Sequence, residues 1–157
     1  YLQQCAWAAQ KIAKEVSSDI PGAHEAYLRE KESAKENRQQ LMLRLTDAAI
    51  DAIQNGGEKL PDGGMMYVQH VPFLDRAGLI HAAGTLTKGG NAVAILSCPD
   101  KNGCAVIFLR SDDRGEDMSS LLRACGARGG GKSDMAQGSA ADESILAAAK
   151  EMLVKQA

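Results

Sequence analysis

The chain has 157 residues, 45% hydrophobic and 24% charged, enough for one globular domain or a small domain with an appendage, and too apolar for wholesale disorder. A net charge of −2 and a pI of about 5.9 give no global basic signature, so any nucleic-acid affinity has to come from a local patch. Aromatics at 4% argue against a base-stacking platform, and no apolar run approaches the ~20 residues of a membrane span, which excludes the membrane as a partner.

The chain opens on YLQQCAWAAQKIAKEV, without a methionine and already in helical periodicity. That start reads as a fragment whose N-terminal part is missing. Leu2, Cys5, Ala9, Ile12, Ala13 and Val16 recur at helical spacing and form one apolar stripe. The stretch SDIPG (Ser18 to Gly22) breaks this first helix. A second helix is predicted from about Ala23 to Gln54, ended by Gly56-Gly57. Tyr27, Ala34, Leu41 and Ala48 lie seven apart, with Leu45 and Ala52 at offset positions, a heptad-like seam. Between Arg29 and Gln40 the only apolar residue is Ala34, so the seam is weak there. The expected arrangement is a helical hairpin standing off the body, with Leu41 to Ile53 docked onto it, and a monomer or weak dimer. The sole tryptophan, Trp7, is expected to pack into the hairpin or against a missing neighbour.

After Pro61 the pattern becomes α/β. MMYVQHVPF (Met65 to Phe73) reads as a strand limited by Pro72. Asp75 can cap a helix carrying Leu79, Ile80, Ala83 and Leu86, stopped by Gly89-Gly90. NAVAILSC and CAVIFLR are continuous apolar runs, as in strands buried on both faces, and PDKNG between them makes a hairpin. EDMSSLLRACGAR is a helix with Gly126 as its C-terminal cap. Residues 134–138 can form a short strand. A last helix from about Asp142 to Lys155 turns Ile145, Ala149, Met152 and Leu153 inward. The fold class is therefore α/β, a small mixed sheet flanked by helices in the order β-α-β-β-α-β-α. A helical hairpin linker (1–57) precedes the α/β domain (58–157).

Cys5, Cys98, Cys104 and Cys125 form no C-x-x-C pair, and His24, His70 and His81 show no ligand spacing. They read as reduced, mostly buried thiols in a cytoplasmic protein, although Cys98 and Cys104 flank a turn and could face each other. Arg110, Asp112, Asp113 and Arg114 read as a solvated connector rather than a catalytic carboxylate pair. His70 reads as a satisfied core or edge histidine. HEAYLREKESAKENR reads as an exposed helix face with pairs such as Glu25–Arg29.

The residues Gly126-Ala127-Arg128-Gly129-Gly130-Gly131-Lys132-Ser133 match the phosphate-loop pattern G-x-x-x-x-G-K-[ST]. A phosphate loop needs a strand before the glycines and a helix starting at the lysine, so that loop N–H groups and the helix terminus converge on phosphate. Here a helix ends at Gly126, and the small residues after Ser133 oppose a helix. The pattern is thus not a triphosphatase signature. The glycines remain open to two uses. One is a turn or close packing against the sheet. The other is a loop whose N–H groups, with Arg128 and Lys132, meet phosphate oxygens.

At these residues the chain resembles a known family. GGGKSDMAQGSA resembles the G-G-G-[RK]-x-D-x-A-Q-G-G signature near the C-terminus of alanyl-tRNA synthetases and of long, free-standing alanyl-tRNA editing proteins, in what is termed the DHH-associated domain. Gly129, Gly130, Gly131, Lys132, Asp134, Ala136, Gln137 and Gly138 match, and Ser139 stands where a further glycine is common. The resemblance implies that residues 58–157 are such a domain. It implies a C-terminal tRNA-binding module whose partner is tRNA, specifically tRNA-Ala. The contacts it implies are Arg128, Gly129, Gly130, Gly131, Lys132, Asp134, Gln137 and Gly138. The zinc-ligand motifs of the editing domain, H-x-x-x-H and C-x-x-x-H, do not occur in the sequence, nor does the aspartate cluster of DHH phosphoesterases. The fragment is therefore expected to be non-catalytic and without a cofactor, with zinc in a missing editing domain. The parent is expected to be an alanyl-tRNA editing hydrolase or an alanine–tRNA ligase, the former favoured by the short helical linker. The alternatives are the oligonucleotide-end-binding part of a DHH phosphoesterase and an oligomerisation module.

Overall fold

A computed structural model describes residues 2–15 and 20–156. The elements in chain order are α1 (Leu2–Glu15), α2 (Ile20–Asn55), β1 (Glu58–Lys59), β2 (Met65–His70), α3 (Arg76–Thr87), β3 (Ala92–Asp100), β4 (Gly103–Arg110), α4 (Met118–Ala124), β5 (Arg128–Gly131), β6 (Met135–Ala140) and α5 (Ser144–Gln156). Two compact units divide the chain, residues 1–41 and 42–157. The last turns of α2 therefore go with the second unit, whereas the glycine pair 56–57 marks only the end of that helix.

In the first unit the helices flank residues 16–19, so Val16 and the first part of the sequence-predicted break, Ser18 and Asp19, lie outside the described residues, whereas Ile20 to Gly22 are helical rather than a break. α2 starts earlier than periodicity suggests, at Ile20, and takes Pro21 into its first turn, where a missing N–H costs no helix bond. Ala13 and Ala23 are buried, whereas Trp7 is 66% exposed and Ile12 44%. Trp7 therefore does not pack into a hairpin; the ammonium of Lys11 lies 5.5 Å from its ring centroid instead. Arg29 pairs with Glu25 at 3.4 Å on an exposed face, as its spacing predicts.

The second unit is an α/β body around a six-stranded mixed sheet of order β1-β2-β3-β4-β6-β5. β2 and β3 are parallel and joined through α3, a crossover, while the other neighbours are antiparallel. The buried runs of β3 and β4 alternate between two cores. Val93, Ile95, Val106, Phe108 and Ala136 pack with Met118, Leu121 and Leu122 of α4 and with Ile145, Ala149 and Leu153 of α5. Ala94, Leu96, Ala105 and Ile107 face the other way, against Leu79, Ala82, Ala83 and Leu86 of α3 and Ala49, Ile50 and Ile53 of α2. This explains why both strands read as unbroken apolar runs. The helix signals hold too: Asp75 caps α3, its side chain accepting from Gly78 N at 2.8 Å, and Gly126 takes φ +84° just past α4, which is capped at its start by Asp117, a cap not read from the sequence.

Several expectations are corrected. The glycine run is not a loop but the edge strand β5, paired residue for residue with β6 from Arg128↔Ser139 to Gly131↔Ala136. The short strand β1 also goes unseen in the sequence, so the order is β-β-α-β-β-α-β-β-α. The heptad seam of α2 is not the buried face: Tyr27 and Leu41 are 50% and 57% exposed, and Ala48 and Ala52 are exposed as well. In the part of α2 that goes with the second unit the buried residues are Thr46, Ala49, Ile50 and Ile53, spaced by three and four, as docking on a globular body demands. Ile80 sits at the exposed margin of α3, and Ala82 takes the core position. Cys98 and Cys104 do not face each other. They belong to opposite faces of the sheet, and both thiols are free.

Candidate nucleic-acid interface

The residues singled out for binding all lie on the β5–β6 hairpin and its turn, at the outer end of the sheet. Strand alternation divides them. Arg128 and Gly130 of β5 are opposite Ser139 and Gln137 of β6, and these two pair onward with Ala105 and Ile107 of β4, which belong to the α3 side. On that side α3 covers β3 and β4 but leaves the outer strands open. Arg128, Gln137 and Ser139 are exposed and Gly130 half-buried. They make a polar shelf with a bare backbone at its centre. Arg76, at the start of α3, borders the shelf; its guanidinium donates to Ser139 Oγ at 3.4 Å and to Asp100 Oδ2 at 3.3 Å.

Gly129, Gly131 and Gly138 have another task. A Cβ on Gly129 would land on the backbone carbonyl of Gln137, and one on Gly131 on that of Met135. A Cβ on Gly138 would stand 2.6 Å from the carbonyl oxygen of Arg128. These glycines let two backbones lie closer than side chains allow. Gly130 is different: a Cβ there would meet nothing within 4 Å. The close-packing reading of the glycine run thus holds for Gly129 and Gly131, with Gly138 opposite them on β6, while Gly130 has open space on its free side.

Lys132 is exposed in the turn between the two strands, its N–H donating to Met135 O at 2.8 Å. Four residues of extended chain, about 13 Å, separate it from Arg128. The turn is anchored: Ser133 O accepts from Met118 N at 2.9 Å, and Asp134 O accepts from Arg110 N at 3.0 Å. Among the described residues Arg128 and Lys132 form no ion pair. No helix starts at Lys132, so the phosphate-loop geometry is absent, as the order of elements predicts.

Two other constellations are structural. His70 Nδ1 lies 2.8 Å from Ser97 Oγ and 3.7 Å from Glu143 Oε2. Both partners address the same ring nitrogen and Ser97 is wholly buried, so no nucleophile–base–orienter chain exists. The charged loop after β4 is not a solvated connector. Arg114 is buried and its guanidinium donates to Asp62 at 2.8 Å, to Asn91 at 2.9 Å and to Glu116. Asp113 accepts from Asn91 N at 2.8 Å and from Ser111 Oγ at 2.5 Å. Sequence spacing could not disclose this hub, because Asp62 is 52 residues away. No group of three metal-ligating side chains occurs among the described residues, and no described helix is long and apolar enough to cross a membrane.

No known family profile matches the chain. It is 26% identical to an alanine–tRNA ligase of Methanococcoides burtonii, with 89% of the chain and 16% of the ligase aligned. It is 28% identical to an alanine–tRNA ligase of Solibacter usitatus, with 92% of the chain and 17% of the ligase aligned. The chain thus spans about one-sixth of the length of these relatives. Among solved structures it resembles the C-Ala domain of Aquifex aeolicus alanyl-tRNA synthetase, with a TM-score of 0.55 and 19% identity over 62% of this chain and 97% of that one. The resemblance to alanyl-tRNA synthetases is borne out, and the fold is like that of the C-Ala domain. Both relatives are ligases; neither is a free-standing editing protein or a phosphoesterase.

Proposed function

We propose that this chain is a non-catalytic tRNA-binding module of an alanine–tRNA ligase, serving translation in the cytoplasm, with tRNA-Ala as its partner. One observation carries the reading: nearly the whole chain aligns with such ligases. The geometry is consistent with it. The shelf joins an approachable backbone at Gly130 to the unpaired cations of Arg128 and Lys132 and the amide of Gln137. These suit phosphate oxygens and ribose hydroxyls rather than bases. Joining alanine to tRNA belongs to parts of the ligase outside this chain, and zinc to its editing part. The module works as a monomer or weak dimer.

Binding is electrostatic and modest. With about two to four phosphate contacts, log affinity falls against log salt with a slope of roughly −1 to −4. Folded tRNA outcompetes an unstructured strand, because the chain has few aromatics on which bare bases could stack. Lys132→Ala flattens the slope by about one unit, and a chelator leaves affinity unchanged. Filter binding across a salt series tests the reading. A double variant, Arg128→Ala with Lys132→Ala, that binds tRNA like the parent would sink the shelf as the interface.

A further inference from the structure

Beside the shelf, where β3 turns into β4, lies a cleft of about 650 Å³. That volume lies within the ~300–1,000 Å³ typical of small-ligand sites. Its lining includes Lys101 and Asn102 at the hairpin tip, Gly126 and Arg128 at the entry to β5, and Ser139 at the end of β6. Asp100 is its only acid, and Arg76 engages that carboxylate. Lys101 and Arg128 have no carboxylate partner among the described residues, so the cleft is net positive. Asn102 and Ser139 offer neutral hydrogen-bonding groups next to these cations. The other lining residues are small, and none is aromatic.

From this arrangement we infer that the cleft binds the phosphate and ribose of a single nucleotide, with Lys101 and Arg128 on the phosphate and Asn102 and Ser139 on the sugar. With no ring to stack on, the base projects outward and is not read. The inference rests partly on the proposed tRNA function, since a nucleotide of a tRNA chain is one source of this chemistry. A free mononucleotide is the other.

The test uses the whole chain and two probes. Amide resonances are followed by NMR during titration with AMP and, as control, adenosine. Saturable shifts at Lys101, Asn102, Ser139 and Ala141 with AMP but not adenosine are expected, and Lys101→Ala weakens AMP by at least about fivefold. In parallel, tRNA affinity is measured for Lys101→Ala, whose exposed turn position leaves the fold intact by circular dichroism. A severalfold loss with a slope flattened by about one unit assigns the cleft to a nucleotide of the tRNA. AMP binding without that loss assigns it to a free nucleotide. Absence of AMP shifts together with unchanged tRNA binding by Lys101→Ala overturns the inference. If the chain binds no tRNA at all, the proposed function falls, while the AMP titration still decides the cleft.

Discussion

Arg114 shows how a single side chain joins distant segments. Its head links Asp62, in the turn after β1, to Glu116 and Asn91 on loops beside β3 and β4. Burial pushes the Glu116 carboxyl up, but the hydrogen bonding from Arg114, a backbone hydrogen bond of Glu116 and the charge of Arg114 together outweigh it and hold the group below its ordinary value of 4.5. The same guanidinium, with Gly64 N–H, lowers Asp62 from its usual 3.8. Arg114→Met leaves the half-buried Glu116 carboxylate without its partner and is expected to cost about 3 kcal/mol, read as a lower urea midpoint with unchanged slope. The pH dependence follows from the direction of the shifts. Both carboxyls are lowered on folding, so their stabilisation is complete above their ordinary values and is lost as pH falls through the depressed ones. The gap between wild type and Arg114→Met should therefore close under acid, below about pH 4.5, in thermal melts. The glycines of β5 give a second prediction at this scale. Gly129→Ala and Gly131→Ala are expected to lose about 1–3 kcal/mol, because the new methyl meets backbone that cannot move aside. Gly130→Ala should melt like the parent.

Among the elements, those with a local signature were legible. Asp75 as a cap, Gly126 past α4, and the two apolar runs around PDKNG all do what their chemistry predicts. β5 was not legible, because three glycines carry no strand propensity and its existence depends on pairing with a partner that comes later in the chain. β1 is two residues long and leaves no pattern. The buried face of α2 was obscured for another reason: a seven-residue repeat and a docking stripe coexist on one helix, and only the docking surface chooses between them. Ile53→Ala is expected to cost about 3 kcal/mol, and Leu41→Ala less than about 0.5, by chemical denaturation. For the candidate site the sequence offers a set of residues but not their geometry. The signature named Gly130 and Gly131 alike, yet only alternation along a strand shows that they serve different faces. The same strand–turn–strand context predicts that ATP with magnesium does not bind; micromolar binding by calorimetry, lost in Lys132→Ala, would contradict it.

At the scale of the whole molecule, the sheet's two margins share a property. On one side β1 offers only two residues, and Glu58 there is held by Lys150 Nζ at 2.5 Å. On the other, β5 is four residues long, three of them glycine, with exposed cations at Arg128 and Lys132 on either side of the run. A strand from another polypeptide that tried to extend the sheet would find too few hydrogen-bonding groups at one margin. At the other it would find a backbone without side chains to interdigitate and like charges to repel it. The features proposed to receive a polyanion at the outer hairpin therefore also guard it against fibril growth. Concentrated solutions should stay clear and fail to enhance thioflavin fluorescence, whereas replacing Lys132 and Gly130 with valine should make them seed.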